Sequence, residues 1–99
     1  MDGLYVQDVT TLSDEELLSR IDADAQAFEA LYDRHSKTVY SLILRVVRDP
    51  GTAEELLQES FLQVWRKAEQ YRGGGAVGAW LNRIGRNKAL DHLRRVKAR

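Results

Sequence analysis

Asp49-Pro50-Gly51-Thr52-Ala53-Glu54-Glu55-Leu56-Leu57-Gln58-Glu59-Ser60-Phe61-Leu62-Gln63-Val64-Trp65 holds the end of one helix and the body of the next. Proline has no amide hydrogen and cannot continue a helix, yet its fixed φ suits the first position of a new one, with Asp49 placed to cap it. After this break, Ala53, Leu56, Leu57, Phe61, Val64, Trp65 and Ala68 recur at three- and four-residue steps. That spacing predicts one buried stripe, ended by Tyr71-Arg72 and the triplet Gly73-Gly74-Gly75. Before the break, Phe28, Leu31, Tyr32, His35, Val39, Leu42, Ile43 and Val46 make a second, longer stripe of the same period. Two long helices separated by a proline decide the fold class.

Further out, Ser13-Asp14-Glu15-Glu16 has the form of a capping box, and Leu17, Leu18 and Ile21 give the short helix behind it an apolar side. Asp22-Ala23-Asp24 predicts a break, with Asp24 capping the long helix. Residues 1–12 show no period and are expected to form a flexible arm. A last helix is expected from about Ala76 to the end of the chain. No sustained alternation and no hairpin signal predicts a strand. The expectation is an all-α domain of three main helices plus a short amino-terminal one.

The chain has 99 residues, 43% hydrophobic and 30% charged, enough for one domain with its own core. It has no cysteine, so disulfides and thiolate metal sites are excluded. No signal-peptide pattern and no membrane-length apolar run occurs. His35 and His92 are far apart, and His35 lies in an apolar stripe, where a packing role is expected. Glu54, Glu55 and Glu59 have no His or Cys at ligand spacing, and the glycine triplet lacks the Gly-Lys-Ser/Thr ending of a nucleotide loop. No enzyme, metal or cofactor is expected.

The net charge of zero conceals a division. Residues 1–50 carry ten acids against five bases, net −5, and residues 51–99 five acids against ten bases, net +5. This implies either a polyanion partner at the basic end or two halves that cover each other. From Arg83 to Arg99 seven bases (Arg83, Arg86, Lys88, Arg94, Arg95, Lys97 and Arg99) face one acid, Asp91. On the last helix, Leu81, Gly85, Ala89, Leu93 and Val96 form one row, whose small members would let another helix come close. A neighbouring row carries Trp80, Arg83, Asn87, Asp91 and Arg94, groups suited to bases and phosphates. The glycine loop before it could fit around an unstacked base. On the third helix, Glu55, Gln58, Glu59 and Leu62 make either a solvated face or a docking strip.

The order of these features resembles the second conserved region of bacterial sigma factors, specifically the extracytoplasmic-function (ECF, group 4) class. The resemblance rests on Ala27-Phe28-Glu29-Ala30-Leu31-Tyr32, on Ala53-Glu54-Glu55-Leu56-Leu57-Gln58-Glu59-Ser60-Phe61, and on Trp80-Leu81-Asn82-Arg83-Ile84-Gly85-Arg86-Asn87 continuing to Arg95. It implies the sigma region 2 fold over 13–96, with 97–99 beginning a linker to an absent region 4 domain.

It also implies partners. The docking face for the β′ clamp helices of core RNA polymerase would be Glu55, Gln58, Glu59, Leu62 and Trp65, the last of which also fits the buried stripe. The non-template strand of the promoter −10 element would meet Arg72, Gly73, Gly74, Gly75 and Val77 in the loop. Along the last helix it would meet Trp80, Arg83, Ile84, Asn87 and Lys88, with Arg94 and Arg95 adding backbone contacts. An anti-sigma protein covering the same faces, a monomer when free, and a cytoplasmic location, nucleoid-associated in the holoenzyme, are further implications. Primary sigma factors carry several aromatics where this chain has glycines, Val77 and Trp80, which implies narrower promoter choice. A second reading is a helical adaptor whose basic helix binds an acidic protein.

Overall fold

The computed structural model describes residues 8–71, 73 and 75–98. Four α-helices account for most of them: α1 (Asp14–Arg20), α2 (Ala25–Val47), α3 (Pro50–Lys67) and α4 (Val77–Lys97). Short 3-10 turns lie at Val9–Thr11 and Ala68–Gln70, and no strand occurs among the described residues. The all-α expectation of three main helices and a short one therefore holds.

Local chemistry sets each boundary. The Ser13 side chain accepts from the Glu16 amide at 3.1 Å, and the Glu16 carboxylate accepts from the Ser13 amide at 2.9 Å. Asp24 accepts from the Gln26 amide at 2.9 Å and opens α2. Asp49 accepts from both the amide and the hydroxyl of Thr52, at 2.9 and 2.7 Å, with Pro50 opening α3. Such caps each contribute about 1 kcal/mol by satisfying amides that the helix leaves free. α2 closes on Arg48, a non-glycine residue in the left-handed region at φ 58°.

The core lies where α2 meets the other three helices. Leu17, Leu31, Val39, Ile43, Val64 and Leu81 are all but inaccessible. Phe61 is gripped edge-on by Phe28 and Tyr32, with ring centroids 6.2 and 4.8 Å away. Buried Ser60 donates its hydroxyl to the Leu56 carbonyl at 2.7 Å, so the apolar environment holds no unpaired group there.

Gly85 explains how α4 fits. A Cβ at that position would lie 2.7 Å from Val39 Cγ1 and 3.5 Å from Ile43 Cδ1, so the bare backbone is what allows α2 and α4 to touch. Gly78 meets His35 further back along both helices, so α2 and α4 run in the same direction. The small-residue row foreseen in the sequence is this seam: Leu81, Gly85 and Ala89 are buried, and only Val96, at its far end, is well exposed.

Two expectations are corrected. Residues 8–12 are not part of a flexible arm: Asp8 caps the turn at Val9–Thr11, and Leu12 is buried in the core. The remaining residues of that arm, 1–7, lie outside the described set. Trp65 does not join the buried stripe but stands 48% exposed. It sits one residue, about 100°, on from Val64 at the centre of the stripe, which turns it past the edge of the core.

Candidate nucleic-acid interface

α3 leads through its 3-10 turn to Tyr71, and α4 begins six residues later at Val77. The intervening loop turns at Gly73, whose φ of 74° is the left-handed conformation that glycine adopts without steric penalty. The Tyr71 hydroxyl donates to the Gly75 carbonyl and closes the loop on itself. Tyr71 also lies against Trp80, ring centroids 5.6 Å apart and tilted by 58°. Beside this pair is an open cleft of about 270 Å³ lined by Gln70, Tyr71, Gly75, Ala76, Ala79, Trp80 and Arg83. It offers two aromatic rings, an exposed guanidinium and backbone, and it has room for a planar base.

The helix row follows from periodicity. Trp80, Arg83, Asn87 and Arg94 share the side of α4 opposite the α2 seam, and Arg83 and Asn87 are exposed. Arg94 donates to Asp91 at 2.6 Å on the same surface, and Arg95 is exposed beside it. Lys88 leans away from the row, its amine 3.9 Å from the Glu59 carboxylate of α3.

Not every expected contact residue can serve. Val77 is 1% and Ile84 7% exposed. With Leu81 they stand at i, i+4 and i+7, one apolar side facing inward. Both are corrected from candidate contacts to core residues that anchor α4. Arg72 and Gly74 lie outside the described residues. Gly73 and Gly75 are exposed, and Gly75 lines the cleft.

On α3, Glu55, Gln58 and Glu59 are exposed, Leu62 is 44% exposed and Trp65 48%. Two large apolar side chains, three residues apart, therefore stand uncovered beside acids on one helix. Leu62 and Trp65 also wall an apolar cleft of about 370 Å³ with Ile21, Ala23, Phe28 and the acids Asp22 and Asp24. Sequence reasoning missed this cleft, because half of it belongs to the α1–α2 corner. It also missed Gln70, Tyr71, Ala76 and Ala79. Among the described residues, no group of three His, Cys, Asp or Glu side chains could hold a metal. None of the described helices is long and apolar enough to cross a membrane.

The all-helical domain thus has an aromatic, cationic cleft at the start of α4 and an acidic, apolar face on α3. Residues 31–99 match the Sigma-70 region 2 family, and the chain belongs to it. The chain is 43% identical over 91 residues to the ECF RNA polymerase sigma factor SigK of Mycobacterium sp. (strain KMS), covering 91% of this chain and 47% of that protein. SigK of Mycolicibacterium vanbaalenii is 42% identical over 91 residues, covering 91% and 46%. SigK of Mycobacterium tuberculosis is 39% identical over 82 residues, covering 81% and 44%. The chain thus spans about half the length of the curated relatives it matches. The resemblance to region 2 of an ECF sigma factor is upheld, and this places the domain outside the enzymes.

Proposed function

We propose that the domain recognises and helps open the promoter −10 element, binding the non-template strand while docked on core RNA polymerase. The observation that carries this is the cleft between Tyr71, Trp80 and Arg83, which lies where the glycine loop meets the cationic row of α4. A base leaving the duplex stacks on an aromatic face there, Arg83 and Arg94 neutralise phosphates, and Asn87 bonds a base edge. Docking uses Glu55, Gln58, Glu59, Leu62 and Trp65 against the β′ clamp helices, the acids meeting cations and the two apolar side chains becoming covered. Specificity comes from this domain and chemistry from the polymerase. The protein works in the cytoplasm, on the nucleoid when in holoenzyme, and an anti-sigma protein covers the same faces.

The test is binding of a non-template −10 strand to core polymerase with and without the protein. Affinity gained only with the protein, and lost when Glu55, Gln58 and Glu59 are all replaced by alanine, supports the proposal. Strand binding that ignores the protein would favour the adaptor reading, in which the basic helix meets an acidic protein.

A further inference from the structure

We propose that Asp14 and His35, neither of which touches the cleft, act as its positioning group by seating the first turn of α4 through Gly78. The inference rests on the promoter reading above and names the residues that set the shape of the cleft.

His35 Nε2 lies 2.9 Å from Asp14 Oδ2, while Arg34 Nη1 donates to Asp14 Oδ1 at 3.1 Å. The other Arg34 nitrogen, Nη2, donates to the Thr10 carbonyl at 2.9 Å. Both carboxylate oxygens are therefore held, and the imidazole orientation is held with them. With Nε2 engaged towards α1, the Cε1–Nδ1 edge of the ring faces α4. A Cβ on Gly78 would lie 3.2 Å from Cε1 and 3.5 Å from Nδ1. The imidazole edge thus fills the space that a side chain at Gly78 would need, and a methyl there forces the ring or the turn to give by a few tenths of an ångström.

This seat matters because α4 has no side-chain cap of its own. Its N-cap is Ala76, whose side chain has no oxygen to offer the free amides. Two packing contacts add to the backbone bonds that the Ala79 and Trp80 amides donate to the Ala76 carbonyl: buried Val77 and the seat under Gly78. The neighbours of Gly78 are the walls of the cleft, Ala76 before it and Ala79 and Trp80 after it. A shift at Gly78 therefore moves the stacking surface. A partly exposed ion pair such as Asp14–Arg34 contributes little to stability, so the positioning role is tested by a readout at the cleft and not by melting alone.

The experiment has two arms. In the first, Trp65→Phe leaves Trp80 as the sole indole of the chain, and its emission and Tyr71–Trp80 proton contacts report the cleft. In the second, the protein with its native Trp65 is bound to core polymerase. Affinity is measured for a non-template −10 strand and for strands abasic at successive positions. His35→Ala and Gly78→Ala are expected to shift Trp80 emission and lower the preference for base over abasic about fivefold, the scale of one net hydrogen bond. His35→Gln, whose amide still donates towards Asp14, is expected to restore most of both. Folded Gly78→Ala and His35→Ala variants with unchanged emission and unchanged preference would overturn the proposal. Should His35→Ala fail to fold, Gly78→Ala decides alone, since it removes neither of the Asp14 contacts. A wild-type complex with no base preference defeats the promoter reading, while the Trp80 spectrum still decides the positioning role.

Discussion

The two sides of α4 obey different rules. One side, Val77, Leu81, Ile84, Gly85 and Ala89, is pressed into the core so closely that the seam with α2 has no room for a methyl group. The other carries Arg83 and Asn87 into solvent, with half-buried Trp80 between the edge of the core and an open cleft. One helix therefore carries a fixed side and a free side, about one helix diameter of 10 Å apart. Substitutions on the fixed side should appear as lost stability, and those on the free side as lost binding. A variant that violates this division breaks the comparison.

The largest effect is expected at Leu81→Ala. Removing a side chain 1% exposed at the centre of the seam should lower unfolding free energy by about 3 kcal/mol, read from denaturant melts. Gly85→Ala comes next and is more discriminating. Helix propensity favours alanine by about 1 kcal/mol, but the new methyl would stand 2.7 Å from a stiff β-branched Val39. Overpacking of this kind typically costs about 1–3 kcal/mol, so the net change is a loss of about 1 kcal/mol. Val39→Ala combined with Gly85→Ala should destabilise less than the sum of the single changes, because the second methyl then enters space vacated by the first. Additive losses would show that the seam is looser than the 2.7 Å approach demands.

The sequence displayed most of this frame. Ser13 with Glu16, Asp24, and Asp49 with Pro50 mark helix starts because capping is a matter of three or four neighbouring residues. The small-residue row on α4 announced a close approach, and Gly85 makes one. What stayed hidden depends on distant partners. Tyr71 and Trp80 are nine residues apart and meet across a loop that includes Gly73 in the left-handed region. Leu12 gave no signal because one apolar residue outside a helix has no period, and its burial depends on the helices around it. Val77 and Ile84 fall within the loop-and-helix motif that suggests contact with DNA, but their i, i+4, i+7 relation with Leu81 puts them in the core. Of the candidate site, the cationic row was legible from periodicity, while the far wall of the cleft was not.

On the free side, Arg83→Ala should leave stability within about 0.5 kcal/mol, as an exposed surface change does. If Arg83 meets a single-strand phosphate, the same change should weaken strand binding by the holoenzyme and reduce its logarithmic salt slope by about 0.7. A large loss of stability instead would place Arg83 on the wrong side of the comparison. The smallest effect is expected from acid. The amide and hydroxyl of Thr52 hold the Asp49 carboxyl below its ordinary range, chiefly through the hydroxyl bond, with His92 adding a minor attraction. A depressed carboxyl contributes stability above its unfolded pKa and loses it as pH falls through the folded value. Stability should therefore decline on the acid side of the usual carboxylate range, and Asp49→Asn should flatten that decline. The Arg83 contribution to binding should show no matching change.

The central claim is that the cleft beside Trp80 receives one unstacked base of the non-template strand. A photoreactive benzophenone residue in place of Ala79, on the cleft wall, tests it in an open complex of the protein with core polymerase and promoter DNA. A crosslink confined to a single non-template nucleotide within the −10 element is the predicted result. Crosslinks to the template strand, or spread evenly along duplex DNA, in complexes that still initiate transcription would contradict it.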